Sequence, residues 1–369
     1  MQNPFGLYIH VPFCDGKCPY CDFFSLRGTE AMMDEYTESI IGKIKFWSKE
    51  TGRSADTLYF GGGTPSLLGG KRIARITEAA RSVFGLENAE ITVEANPGGD
   101  LSDFFREASA AGVNRVSLGL QSADENELRL LGRRHTADDA ARAAEAAHRA
   151  GIENLSLDLM LAVQGQTEES LARSVSFCRK LGAKHVSAYL LILEPHTLYW
   201  KQKDTLNLPS EDGAAELYLA ACRELETLGY RQYEISNFAE PGFESRHNTK
   251  YWHCEEYLGL GPSAHSFLSG KRFHYARSLA GFLRGEEPEQ DGTGGGFEEF
   301  AMLRLRLTEG LTDEACLARF GTPIPERIKK AARRYEAGGL TVCEKGGFHF
   351  TPKGFLVSNM LTAEILFAG

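Results

Sequence analysis

The sequence predicts an α/β protein, six βα units arranged as a partial parallel barrel, with a smaller C-terminal domain of winged-helix type. Three observations predict it. Up to about residue 235, short apolar runs alternate with helical patterns, as expected of strands joined by helical crossovers. The pattern then changes to Gly-, aromatic- and His-rich sequence and to GEEPEQDGTGGG, which reads as a linker. At 369 residues the chain exceeds the size at which one core usually stops growing, so a large domain with a smaller one is expected. The expected units are a barrel over 1–235, an intervening region and linker over 236–296, and a winged-helix-like domain over 297–369.

The candidate strands are 7–11, 57–60, 90–94, 114–119, 153–159 and 184–192. Helical stretches lie between them at 30–49, 70–84, 100–111, 136–150 and 167–181, the fourth strongly Ala-rich. Six such units fall short of an eightfold barrel. Ligands in these architectures sit at the C-terminal ends of the strands, where βα loops and helix N-termini converge. The informative residues fall there.

Beyond the linker come helical segments near 297–308, 312–320 and 324–337, a hairpin LTVCEKGGFHF, and a final helix from 353. Winged helices often bind DNA. Here the net charge of −9, the pI near 5.7 and the lack of an Arg-rich recognition helix favour a packing or lid role. The basic run RIKKAARRYE reads as the solvated face of a helix, because Ile328, Ala331, Ala332 and Tyr335 recur at helical spacing. No stretch approaches the length of a transmembrane segment. The N-terminal MQNPFGLYIH has neither a basic n-region nor a long apolar run, so a reduced, cytoplasmic protein is expected.

The strongest chemical signal is LYIHVPFCDGKCPYCDFF. Cys14, Cys18 and Cys21 offer three thiolates to one metal centre. Four-iron clusters are held by Cys thiolates, and three ligands leave one iron open to another group. Zinc is the alternative: it normally takes four protein ligands, and His10 completes such a set. A disulfide framework is disfavoured, since three close cysteines cannot all pair. Cys178, Cys222, Cys254, Cys316 and Cys343 are dispersed, and most of them read as small buried hydrophobes.

The second strand runs into Gly61, Gly62, Gly63, Thr64 and Pro65, where glycines let backbone approach a ligand. ITVEANP delivers Glu94 at the end of the third strand, and RVSLGLQS delivers Gln121 at the end of the fourth. LLGRRHT sets Arg133 and His135 after a short helix. LSLDLM places Asp158 among apolar residues, where a carboxylate requires a polar partner or a ligand.

The cysteine spacing, with Tyr20 as the aromatic before the third cysteine, resembles the signature of the radical S-adenosylmethionine (SAM) superfamily. Taken with the strand-end residues, the chain resembles the coproporphyrinogen III oxidase-like branch along essentially its whole length. The resemblance implies a [4Fe–4S] cluster on Cys14, Cys18 and Cys21, with SAM on its open iron. It further implies SAM contacts from Tyr8, Tyr20, Gly62, Gly63, Thr64, Glu94, Gln121, Arg133 and Asp158. One departure stands at residues 158–167, DLMLAVQGQT, where Gln164 replaces the proline usual in the branch.

His247, Asn248, Tyr251 and Trp252 match the HNxxYW pattern of the heme chaperone HemW family. The resemblance implies heme contact at these four residues, because His ligates heme iron and aromatics cover a porphyrin face. A satisfied core histidine is the alternative, and His253, Cys254, His265 and His274 are rival ligands. Phe23 stands where the oxidase has a fourth cysteine, and the segment ahead of Cys14 is short. The expected function is therefore heme chaperoning, without coproporphyrinogen oxidase activity. Oxygen-independent coproporphyrinogen III oxidation is the enzymatic alternative and a zinc-stabilised regulator a third. The implied partners are heme, heme-acceptor proteins such as respiratory enzymes and an electron donor, with no nucleic acid. A homodimer and transient membrane association are compatible with the sequence.

Overall fold

A computed structural model describes residues 4–367. Six strands, β1 (Phe5–Val11), β2 (Ala55–Gly62), β3 (Gly85–Ala95), β4 (Arg115–Gln121), β5 (Asn154–Leu161) and β6 (His185–Leu190), run parallel in sequential order within one twelve-stranded sheet. Their crossovers carry α1 (Glu30–Thr51), α2 (Gly70–Phe84), α3 (Ser102–Ala110), the short α4 (Glu125–Leu130), α5 (Ala137–Arg149) and α6 (Glu168–Lys180). All six expected strands and the five expected helices are present, with ends shifted by up to five residues, the most at the start of β3.

Local chemistry explains several of the helix starts. The Thr29 hydroxyl accepts from Met32 N at α1. Thr136 with Asp139, and Thr167 with Ser170, form reciprocal caps at α5 and α6. Each such cap stabilises by about 1 kcal/mol. The Ala-rich face of α5 buries Ala140, Ala143, Ala144 and Ala147, which lets the helix lie close to the sheet. Strand β1 is buried almost throughout, as a parallel strand covered on both faces should be.

The barrel stays open because further strands cap both edges of the parallel set. After α7 (Leu198–Lys201) and α8 (Glu211–Thr227), strands β7 (Arg231–Glu234) and β8 (Asn237–Ala239) extend the β6 edge in antiparallel fashion. Next, α9 (Arg246–Trp252) leads to β9 (Tyr257–Leu260), which joins β1 in parallel. β10 (His265–Leu268), β11 (Lys271–His274) and β12 (Glu289–Thr293) complete the sheet. The stretch expected as a linker thus contains a strand. β12 is a fully exposed polar edge strand, and it hydrogen-bonds to β11 without any apolar alternation to announce it.

The C-terminal region holds helices Phe297–Arg304, Asp313–Phe320 and Glu326–Arg333, followed by a three-stranded sheet built on Thr341–Glu344 and Gly347–Phe350. The basic run buries Ile328, Ala331 and Ala332 and leaves Lys330, Arg333 and Arg334 exposed, as its spacing implies. The expected final helix is two, Pro352–Leu356 and Ser358–Leu366, separated at Val357, whose φ of −119° and ψ of 23° are not helical.

Candidate functional site

The three cysteines lie on the loop that leaves β1. A short parallel bridge closes that loop: Cys14 N donates to Leu26 O at 2.9 Å and Leu26 N to Pro12 O at 2.8 Å. Tyr199 of α7 pins its middle by donating its backbone N–H to Pro19 O at 2.9 Å. Cys14, Cys18 and Cys21 all face one cavity of about 690 Å³ at the C-terminal ends of the strands. Among the described residues, the only set of three or more His, Cys, Asp or Glu side chains whose ligand atoms all lie within 4.8 Å of one another is His265, His274 and Asp291. A tetrahedral zinc site at about 2.3 Å per thiolate places its sulfurs roughly 3.8 Å apart, so the cysteines are spread too widely for it. His10 does not complete a zinc set either, since its Nε2 bonds Phe24 O at 2.9 Å.

The same cavity collects Tyr20, Gly62, Gly63, Thr64, Glu94, Gln121, Arg133 and Asp158. Gly62 (φ 109°) and Gly63 are required by close approach to β1. A Cβ at Gly63 would lie 2.6 Å from Phe13 O and 2.9 Å from Val11 O. Glu94 accepts from Tyr59 Oη at 2.8 Å and Gly62 N at 3.2 Å. Burial, then the charge of Asp158, push its carboxyl up to about 7. Asp158 has the polar partner its setting demanded, Ser117 Oγ at 3.0 Å, and burial raises its pKa too. Arg133 donates to Asn96 Oδ1 and Gly119 O, each at 2.9 Å, and lies 3.5 Å from Cys18 Sγ.

Several lining residues were not singled out from the sequence. Arg115, Ser117 and Gly119 precede Gln121 at every second position of β4, and all four line the cavity. That period-two run of polar and small residues was the available signal. Arg115 is 1% exposed, yet its Nε and Nη1 lack hydrogen-bond partners among the described residues, as do Arg133 Nε and Asn237 Oδ1. Three orphaned donors, one orphaned acceptor and two buried carboxylates in one cleft fit a ligand with both charges and hydroxyls. Three cysteines lining the same cavity suit a metal cluster that keeps one position open. Gln164, in place of the usual proline, uses its side chain to accept from Asn207 N at 2.9 Å.

Tyr8, expected beside SAM, lines a different cavity. It packs toward Tyr59 across Gly61, and its hydroxyl meets His10 Nδ1 at 3.2 Å. This second cavity, of about 460 Å³, is also lined by Tyr251, Trp252, Tyr257, His265, Arg272 and Arg277. Asp22 and Phe23 border both cavities.

The HNxxYW residues form α9, which runs along the wall between the cavities. Glu90 of β3 caps the helix through both carboxylate oxygens, accepting from Arg246 N and His247 N at 3.0 Å each. Asn248 consequently faces the first cavity, and Tyr251 and Trp252 the second. His247, 1% exposed, faces neither. Its Nδ1 meets Thr57 Oγ1 and its Nε2 meets Tyr251 Oη, both at 2.7 Å, and its ring stacks on Tyr59. Burial and nearby Lys250 lower its pKa to about 3. In this form it is the satisfied core histidine that the sequence left as the alternative to a heme contact.

Known proteins place this arrangement. The radical SAM superfamily profile matches residues 8–178 and the HemN C-terminal domain profile matches 297–357. A heme chaperone HemW of Lactococcus lactis is 35% identical over 99% of this chain and 98% of its own. That of Bacillus subtilis is 33% identical over 97% and 98%, and that of Escherichia coli 38% identical over 83% of each. Among solved structures, coproporphyrinogen III oxidase (HemN) from Escherichia coli, described as a radical SAM enzyme, has a TM-score of 0.85. It covers 100% of this chain and 91% of its own at 21% identity, a likeness of fold.

Proposed function

The chain belongs to the heme chaperone HemW family within the radical SAM superfamily, and from that premise we propose that it binds heme and passes it to acceptor proteins such as respiratory enzymes. The observation that carries this reading is the pair of adjoining cavities. One gathers the cluster cysteines with the polar strand-end residues, and the other is aromatic and shares Asp22 and Phe23 with it.

Cys14, Cys18 and Cys21 would hold a [4Fe–4S] cluster. Gly62, Gly63, Thr64, Glu94, Gln121, Arg133 and Asp158 would hold SAM, with Tyr20 beside the cluster and Tyr8 supporting the wall behind. When bound, the cluster would provide a source of a single reducing electron beside the SAM-binding residues. The chain's own part is to exclude water with Tyr20 and Tyr189, to orient ribose hydroxyls on Glu94, and to set Arg133 between the thiols and Asn96. The thiols need a reducing compartment, so we place the protein in the cytoplasm with an electron donor. No helix among the described residues is long and apolar enough to cross a membrane.

The oxidase reading shares the fold but lacks its fourth cysteine, Phe23 standing there instead. Anaerobic reconstitution with iron and sulfide should yield a cluster in the wild type and none in Cys14→Ala. With SAM, reductant and coproporphyrinogen III, the reconstituted protein should form no protoporphyrinogen while binding hemin stoichiometrically. Protoporphyrinogen formation would reject the chaperone-only reading, and a cluster retained by Cys14→Ala would reject the ligand assignment.

A further inference from the structure

We propose that heme docks in the second, aromatic cavity and that His265, rather than His247, ligates its iron. This rests on the heme-chaperone reading above.

The rival nitrogen and sulfur ligands are separated by their surroundings. His247 is buried with both ring nitrogens engaged. His253 holds Glu309 through Nε2 at 2.6 Å and has Glu255 3.6 Å from Nδ1. Cys254 is 1% exposed. His274 binds Asp291 through Nδ1 at 2.8 Å and has Glu289 3.7 Å from Nε2. His265 alone among these five lines the cavity, with its side chain 65% exposed.

His265 is also held in place. It sits directly opposite His274 across the β10 and β11 ladder, with the rings stacked at 4.9 Å. Asp291, which bonds His274 Nδ1 at 2.8 Å, also lies 3.8 Å from His265 Nδ1, beyond hydrogen-bond distance but near enough for its charge to favour a cationic centre there. Among the described residues, Nε2 has no partner.

The rest of the cavity suits a porphyrin with two carboxylates. Tyr251, Trp252, Tyr257 and Phe23 supply aromatic faces. Trp252 Nε1 is a buried donor without a partner among the described residues. Arg277, 53% exposed, sits at the rim and can reach a propionate. The volume of about 460 Å³ falls within the roughly 300–1,000 Å³ of small-molecule sites.

The test is an anaerobic hemin titration of cluster-loaded protein, followed at the Soret band, for wild type, His265→Ala, His247→Ala and Trp252→Phe. His265→Ala should bind at least about tenfold more weakly with a shifted Soret band, and added imidazole should restore the band. Trp252→Phe should weaken binding several-fold. His247→Ala should keep the wild-type Soret position, and SAM binding by His265→Ala should be unchanged, which shows that it is folded. A His265→Ala titration identical to wild type overturns the proposal. So does stoichiometric zinc on wild type that is lost from His265→Ala while heme affinity is unaltered. Absence of heme binding by folded wild type is a different result, which removes the chaperone reading itself.

Discussion

Arg277 crosses from the β11 side of the sheet to the cluster loop and holds Asp22. Its Nη2 donates to the Asp22 carbonyl at 2.6 Å and its Nη1 to Oδ2 at 3.3 Å. Asp22 borders both cavities, so this bond joins the loop that carries the three cysteines to the wall of the aromatic cavity. Arg277 is half exposed, and its contribution to global stability should stay below about 1 kcal/mol. Arg277→Ala should leave the melting temperature almost unchanged while releasing cluster iron faster in air and weakening heme binding. Iron release timed with a chromogenic chelator checks this, and a wild-type rate would make the bond incidental.

Phe23 is 65% exposed and lines both cavities. Burial costs little there, so Phe23→Ala should change stability by no more than about 0.5 kcal/mol. Its effect should fall on heme, raising Kd several-fold while cluster content stays at wild-type levels. Parallel heme titration and iron analysis separate the two, and loss of cluster with intact heme affinity would count against the shared-wall account.

Glu94 gives a pH signature. Its carboxyl titrates near 7 in the folded protein against an ordinary value of 4.5, so its contribution to stability is complete below about pH 4.5 and is lost as pH rises through 7. The groups around it are Asp158, Tyr59 and Arg115. A cationic ligand whose hydroxyls donate to Glu94 favours the ionised form. SAM affinity should therefore rise by up to about tenfold per pH unit below 7 and flatten above it. Calorimetric titration from pH 5.5 to 8.5 measures the slope, and Glu94→Gln should flatten it. A slope kept by the variant would move the titration to another group.

Gly63→Ala places a Cβ against two backbone oxygens of the β1 exit, which no side-chain rotation relieves. It should cost about 1–3 kcal/mol and abolish SAM binding. Denaturant unfolding gives the first value and equilibrium dialysis the second. Wild-type behaviour in both would show that the β1 exit yields easily.

The parallel units were legible because strands such as Val116 to Leu118 alternate with amphipathic helices long enough to show their period. The short strands β9 to β12 were not: four or five residues carry too little pattern, and β12 is wholly polar. The cluster loop and strand-end residues were readable by spacing and position. Arg115 carries no strand-end signal because it stands at a strand start, although its face runs on through Ser117 and Gly119 to Gln121. Sequence could not divide the HNxxYW motif between two cavities. That division depends on Glu90, a residue from another strand, fixing the rotation of α9 about its axis.

The most direct measurement is heme transfer. Cluster-loaded, heme-loaded protein is mixed anaerobically with a heme-free respiratory enzyme, and the acceptor's heme spectrum is followed. The acceptor should gain heme in proportion to the heme lost by this protein, and faster than by passive release into a heme-trapping globin. Heme that leaves no faster in the presence of the acceptor than into the trap would contradict it.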